Sequence, residues 1–309
     1  MTQYGIKERK SIALTRSFLI FSLFLFCSFY FSEKIKGYAF DGMMLALKVI
    51  VPSVFPFMIF SDAVAYYFEF EKSEFLSALF ERTFKISRCA IPAFFSGIIG
   101  GFPVGAKNAL RLYENGIISK CECERLMSFS NLASPAYVFS AIAFGLLKNL
   151  RAGIILYLSM ILSSLICGMI IGKNKAYSRI SDLKEGQKYN FVSSVKDGAL
   201  ASVNVIFFIS FFSVIAGLIK EMWLSAPITA ILLSFIEVGS ATVYISESCI
   251  LSAKLSLSLI SFSLSFSGIS VIMQSLSLPQ GKDMSIKKCA IYKLLQGALS
   301  FIITLFIPI

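Results

Sequence analysis

Apolar runs recur along the whole chain, and several approach the ~20 residues that a helix needs to cross a hydrocarbon core about 30 Å thick. Of the 309 residues, 56% are hydrophobic and 15% are charged, whereas soluble domains carry about 25% charged residues. This pattern indicates an all-α integral membrane protein. It excludes a DNA-binding domain, a disordered chain and a secreted module held by disulfides. The net charge of +11 alone would suggest nucleic acid, but membrane proteins collect Lys and Arg in cytoplasmic loops.

The first apolar run, 17–31, follows the basic segment 7–10 as it would in a signal peptide. Bulky residues follow it instead of a small-x-small cleavage site, so we predict an uncleaved first span. Sorting Lys and Arg by segment places the N-terminus in the cytoplasm, with segment 278–293 also inside. Trp223 then falls at an outer interface. Further spans are predicted at 43–68, 152–171, 198–219, 255–277 and 289–308.

Several apolar runs are interrupted. Residues 89–101 form a run of about thirteen residues, too short to span a bilayer as one helix. The run ends in the segment 100–107, Gly-Gly-Phe-Pro-Val-Gly-Ala-Lys, whose glycines and proline break regular helix. This is typical of a re-entrant hairpin. A capping box at Ser119 and Glu122 predicts the next helix start, with an interruption at 131–135. A split helix pair is predicted across 226–250.

The order of these elements repeats. The segment 41–50 can be aligned with 197–206, and each of these two segments introduces a long span. The segment 128–131 can be aligned with 265–268, each at an interrupted helix. Chance similarity between apolar segments is the alternative. We predict a multi-span helical bundle with two inverted repeats, re-entrant hairpins and interrupted helices, an arrangement that points to a secondary transporter. Its parts would be the tail and first span (1–38), a first repeat (39–172), a cytoplasmic loop (173–196) and a second repeat (197–309).

Enzymatic chemistry is not expected. The chain has no histidine, which removes the usual general base and the Ser/His and Cys/His nucleophile pairs. The seven cysteines mostly lie in apolar surroundings, so we interpret them as packing residues. We predict no catalytic residue, no metal site and no cofactor.

Two motifs in the first half resemble a known family. They are 101–107, Gly-Phe-Pro-Val-Gly-Ala-Lys, and the stretch 119–135 with Ser-Phe-Ser-Asn followed by Ser134-Pro135. This part of the chain resembles the YlbJ-type sporulation integral membrane proteins, which carry the nucleoside-recognition or gate domain. Blocks 235–239 and 265–271, with Gln274, are similar to the second gate repeat. Ser267 departs from the family, where a glycine is expected.

The resemblance implies a fold related to concentrative nucleoside transporters, and movement of dipicolinate toward the forespore. It places the chain in the bacterial cell membrane or the membrane around the forespore. A related transporter fold suggests a homo-oligomer. The expected partners are membrane lipid and a small molecule, either an anion or nucleoside-like, and not nucleic acid.

Half-helices that end inside a bilayer point N–H groups, with about half a positive charge, at the cavity between them. An anion is the natural occupant. Lys107 and Arg111 share a helix face and could add positive charge, although setting topology or contacting lipid phosphate is the alternative. The candidate substrate-binding residues are Gly100, Gly101, Pro103, Gly105, Lys107, Ser130, Asn131, Ser134, Glu237, Gly239, Ser240, Ser267, Gly268, Ser270 and Gln274.

Glu237 stands out because a charge at the centre of an apolar helix costs about 2.5 kcal/mol or more. Ion coupling, a hydrogen bond to substrate and a structural partner for a broken helix all stay open. Asp41 and Asp197 are expected to cap helix starts, while Lys48 is expected to snorkel outward. The leading hypothesis is a transporter of dipicolinate or another small anion. The alternatives are a nucleoside transporter and a non-transporting sporulation scaffold.

Overall fold

The structure is a computed structural model that describes residues 18–19, 22, 29, 32–67, 73–173, 189–248, 251–278 and 284–308. Most of the predicted first span and most of the predicted loop 173–196 lie outside these residues. The described part is almost entirely helical and contains no strand. Within these described ranges, five helices are long and apolar enough to cross a membrane: Ser32–Val64, Leu150–Gly172, Phe191–Glu221, Ala253–Ser277 and Ile286–Phe306.

The first half consists of helices of very different length, from 5 residues in its shortest helix to 23 in its last. Its elements are α1 (Ser32–Leu45), a π-helical turn (Ala46–Ile50), α2 (Val51–Tyr67), α3 (Glu74–Ala78) with a second π-helical turn (Leu79–Phe84), α4 (Ile91–Gly100), α5 (Val104–Glu114), α6 (Lys120–Ser130), the π-helical α7 (Tyr137–Leu146) and α8 (Leu150–Gly172). The helices α4 and α5 pack against each other across residues 101–103. Residues 131–134 interrupt the path from α6 to α7.

The second half contains α9 (Phe191–Glu221), α10 (Ala226–Ile236), α11 (Val238–Ser248), α12 (Ala253–Phe266), α13 (Gly268–Ser277) and α14 (Ile286–Phe306). The paired helices α10 and α11 meet at Glu237, and α12 and α13 meet at Ser267. Both halves therefore run in the same order: a long helix, a pair of short helices, an interrupted helix and a second long helix. At 1.5 Å per residue, each helix of the two pairs is only about 15–17 Å long, half of what a bilayer requires.

The local signals in the sequence explain several helix boundaries. The Ser119 hydroxyl accepts from the Glu122 N–H, and the Glu122 carboxylate accepts from the Ser119 N–H, which confirms the predicted capping box. Asn149 and Asn190 cap α8 and α9 in the same manner. Trp223 lies fully exposed in the loop between α9 and α10.

The prediction for Asp41 and Asp197 is wrong. Asp41 lies inside α1 and Asp197 lies inside α9, so neither residue begins a helix. Both helices start earlier than their apolar runs suggest, because polar residues on an exposed turn do not interrupt backbone hydrogen bonding. Lys48 is exposed, as expected for a side chain that snorkels.

Two clusters form the core. The larger one joins both halves through α2, α9 and α12. The smaller one combines aliphatic side chains with the rings of Phe80, Phe84, Phe94 and Phe129. Of the five cysteines in the described ranges, four are buried and only Cys121 is exposed. This agrees with their interpretation as packing residues.

Candidate functional site

A cavity of about 40 Å³ lies where the two halves meet. One side is formed by the π-helical turn, α2 and α9. The other is formed by the first turn of α11, by Val271 and Gln274 of α13, by the start of α7, and by Phe102 between α4 and α5. Most of its lining is apolar. The polar lining residues are Ser134, Tyr137, Ser202, Glu237 and Gln274.

Glu237 is the only charged residue in this lining. Its side chain is buried, and its two carboxylate oxygens accept hydrogen bonds from the backbone N–H groups of Gly239 (2.8 Å) and Ser240. Glu237 therefore caps the N-terminus of α11, where a carboxylate compensates free N–H groups and their positive partial charge. One of the roles left open by the sequence, a structural partner for a broken helix, is observed in the structure.

Ser134 and Tyr137 form the start of the interrupted helix in the first half. The Ser134 hydroxyl accepts from the Tyr137 N–H at 3.1 Å, as an N-cap does. The Tyr137 ring is buried and lines the cavity together with Glu237 and Gly239 at the start of α11. The helix starts of the two halves thus meet at the same cavity.

Unpartnered polar atoms concentrate around these helix breaks. Among the described residues, Ser130 Oγ, Asn131 Oδ1, Ser270 Oγ and Gln274 Nε2 are buried and have no hydrogen-bond partner. Burying a polar group without a partner costs about 1–3 kcal/mol. Gln274 Nε2 belongs to a side chain that lines the cavity, so an acceptor atom in the cavity would satisfy it.

The pair α4–α5 reaches this region through its glycines. A Cβ atom added at Gly97 or Gly105 would overlap the backbone carbonyl of Ser130. Gly101 has a φ of 74°, a conformation that favours glycine. Its neighbour across the contact is Ser134, 2.6 Å from where a Cβ would lie. The pair α4–α5 therefore packs, through close backbone contacts, against the segment that separates α6 from α7.

The candidate residues fall into three groups. Four line the cavity: Ser134, Glu237, Gly239 and Gln274. Most of the others lie at the breaks that surround it without lining it: Gly100, Gly101, Pro103, Gly105, Ser130, Asn131, Ser240, Ser267, Gly268 and Ser270. Lys107 alone belongs to a different cavity.

This second cavity, of about 240 Å³, lies between α5 and α9 and is lined by Lys107, Arg111, Glu114 and Asp197 among others. Lys107 Nζ lies 3.1 Å from the carboxylate of Asp197 and 3.4 Å from that of Asp62. Its positive charge is therefore compensated by two carboxylates. Ala201 lines the second cavity and Ser202 lines the first, so the two cavities follow one another along α9.

Sequence reasoning missed Lys293. It was assigned to an inner loop, but it lies inside α14 with 1% of its surface exposed. The available signal was the helical spacing of polar residues in the last apolar run: Lys293, Gln296, Ser300 and Thr304 share one face and are all buried. In the described ranges, no group of three or more His, Cys, Asp or Glu residues is placed to hold a metal ion.

The chain is 25% identical over 318 aligned residues to the sporulation integral membrane protein YlbJ of Bacillus subtilis (strain 168). The alignment covers 87% of this chain and 76% of that protein. No family model matches the chain, and no solved structure matches it. The chain is therefore similar to an integral membrane sporulation protein over most of its length, and the nucleoside-recognition domain stays a prediction.

Proposed function

We propose that the chain is a membrane transporter for a small organic anion, with dipicolinate as the leading substrate during sporulation. The observation that carries the proposal is the set of helix starts around the central cavity. The first turn of α11, Val271 and Gln274 of α13 and the start of α7 all contribute to its lining. The N–H groups of Tyr137, Gly239 and Ser240 are already bound by Ser134 and Glu237, so these helix N-termini act on a bound carboxylate through their positive partial charge.

The cavity also offers donors of the required kind. Gln274 Nε2 has no partner within the described part of the chain, and an amide N–H donates well to a carboxylate oxygen. Dipicolinate presents two carboxylates on a pyridine ring, which suits a lining that is mostly apolar with a few donors. A cavity of about 40 Å³ is too small for it, so the proposal requires the two halves to move apart.

We interpret the repeated order of elements as two inverted repeats whose short pairs are re-entrant hairpins. In transporters built this way the substrate lies near the midplane and the repeats move about it. The proposal includes a cytoplasmic N-terminus, residence in the cell membrane or the membrane around the forespore, a homo-oligomeric assembly and no enzymatic activity. Similarity to a sporulation protein supports the biological setting.

A nucleoside or related metabolite is the second candidate substrate, and one observation favours it. Glu237 is the only ionisable carboxyl group in the cavity lining, and no Lys or Arg lines it. A carboxylate accepts hydrogen bonds from sugar hydroxyls and repels an anion. Binding of an anion beside Glu237 requires that the α11 N-terminus, which Glu237 caps, compensate the negative charge of the carboxylate.

Uptake into proteoliposomes tests the proposal. Vesicles containing the purified chain would be given labelled dipicolinate or labelled uridine, with protein-free vesicles as the control. Saturable dipicolinate uptake supports the leading substrate, and uridine uptake in its place supports the second. If neither solute enters and spores lacking the protein contain normal dipicolinate, the proposal fails and a scaffold role is favoured.

A further inference from the structure

Lys293 is a fully buried cation in the middle of the bundle. Its Nζ atom donates hydrogen bonds to the backbone carbonyl of Asn131, to that of Ser265 (3.4 Å) and to Oε1 of Gln296 (3.1 Å). Three acceptors match the three N–H donors of an ammonium group. The side chain is thus held in a complete coordination shell.

The two backbone carbonyls belong to corresponding places in the two halves. Asn131 follows the last residue of α6, and Ser265 lies in the last turn of α12. Carbonyl groups at a helix C-terminus lack intrahelical partners and carry negative partial charge. Lys293 therefore lies where the negative ends of both interrupted helices converge.

The positive charge has no acidic counterpart nearby. Across the residues that the structure describes, no carboxylate forms an ion pair with Lys293. An isolated buried charge is costly, so the helix ends supply the compensation.

The contact between Lys293 and Asn131 is also linked to the central cavity. The Asn131 side chain donates to the Ser275 hydroxyl at 2.7 Å, and Ser275 follows Gln274, whose side chain lines the cavity. Lys293 thus connects α14 to both breaks and, through Asn131, to α13.

We propose that the Lys293 ammonium is a covalently held cation that takes the place of a dissociable ion at the ends of the interrupted helices. Unwound carbonyls and half-helix C-termini coordinate Na⁺ in transporters with discontinuous helices, and here a lysine supplies that charge. The inference rests on the proposed function for its consequence: transport does not require Na⁺. The structural claim is tested without any transport measurement.

The test is the thermal unfolding midpoint of the purified full chain in detergent. The wild-type protein is compared in sodium chloride and choline chloride at equal ionic strength, and its midpoint is expected to be the same in both. Lys293→Met keeps the side-chain volume but removes the charge, and is expected to lower the midpoint by about 5 °C or more. Lys287→Met is the matched control on the same helix, because Lys287 is exposed, and is expected to change little.

Lys293→Ala provides the decisive experiment, because it leaves a cavity where the lysine side chain was. Ethylammonium at increasing concentration is expected to restore its midpoint, whereas the bulkier tetramethylammonium is not. Ethylammonium present during extraction keeps this variant measurable if it is unstable. A wild-type midpoint that rises in sodium, an unchanged Lys293→Met midpoint, or no recovery of Lys293→Ala with any small cation would each overturn the proposal. None of these outcomes bears on whether dipicolinate is transported.

Discussion

Different interactions hold the short helix pair in place in each of the two halves. In the first half, Gly97 and Gly105 bring α4 and α5 against the backbone of Ser130, so close packing holds the pair. In the second half, the Glu237 carboxylate binds the first N–H groups of α11, so hydrogen bonds hold the junction. Close glycine packing thus dominates in the first half, whereas a buried carboxylate dominates in the second, where the glycine contact of Gly268 with the Ile236 carbonyl is looser.

This difference explains why the two halves look unlike in sequence. Close packing requires several glycines at fixed positions, which gives the first half a recognisable motif. A carboxylate cap requires one residue, and a single acid among apolar residues is a weak signal. The tolerance to substitution should differ accordingly, and the unfolding midpoint of single variants in detergent measures that difference.

Gly105→Ala is expected to have the largest effect. The added Cβ would overlap the Ser130 carbonyl, and backbone atoms cannot move aside as a flexible side chain would. Overpacking of this kind costs about 2–3 kcal/mol. Gly37→Ala is the control, because nothing lies within 4 Å of its added Cβ and alanine favours an exposed helix. Equal midpoints for the two variants would show that the first pair is not seated by close packing.

Glu237→Ala is expected to cost about 1–2 kcal/mol, since it removes the cap of α11. Glu237→Gln should lose less, because its remaining carbonyl oxygen still accepts from one of the two N–H groups. The comparison separates hydrogen bonding from charge. A Gln variant as unstable as the Ala variant would mean that the negative charge itself holds the junction.

Ser267→Gly is expected to raise stability by about 1 kcal/mol. Ser267 has a φ of 75°, a left-handed conformation that costs other residues about 1–2 kcal/mol relative to glycine. Ser263→Gly, inside α12, is the control and should be destabilising, because glycine weakens a helix interior. A loss of stability in Ser267→Gly would show that the weak hydroxyl contacts at 3.4 Å to Leu264 and Ser265 matter more than strain.

Lys107→Met is expected to have the smallest effect, below about 1 kcal/mol, because partly exposed ion pairs are screened by solvent. The Lys107 side chain is 23% exposed and its partner Asp197 is 34% exposed. A double-mutant cycle with Asp197→Asn measures the coupling. A coupling well above this value would make the ion pair with α9, rather than glycine packing on Ser130, the main attachment of the first pair.

The broken helices could be predicted from the sequence because breaks carry local signals. Glycines and Pro103 mark the α4–α5 connection, Asn131 and Pro135 flank the break after α6, and the capping box at Ser119 marks a helix start. The long helices α8, α9 and α14 follow from unbroken apolar runs. Even the expectation of glycine at position 267 has a physical basis, since the backbone there is left-handed.

Contacts between distant segments could not be predicted in this way. Lys293 lies 162 residues from Asn131, and a lysine near the start of an apolar run looks the same whether it faces lipid phosphate or a buried carbonyl. The apolar run after Asp197 predicts a helix start there, whereas the structure pairs its carboxylate with Lys107 of the other half. In both cases tertiary pairing, and not local chain preference, determines the role of the charge.

The most direct test of the account is dipicolinate uptake into proteoliposomes by Gln274→Leu, compared with the wild-type protein and with Lys287→Met. Leucine preserves volume and removes a buried amide nitrogen that has no partner in the described part of the chain, so the fold should be retained. Uptake by Gln274→Leu is expected to be at least about tenfold below wild type, since one lost hydrogen bond to a charged group is worth about 1.5–3 kcal/mol. Uptake by Lys287→Met is expected to be normal. Wild-type uptake by a folded Gln274→Leu variant would contradict the claim that the cavity between the two halves is the substrate site.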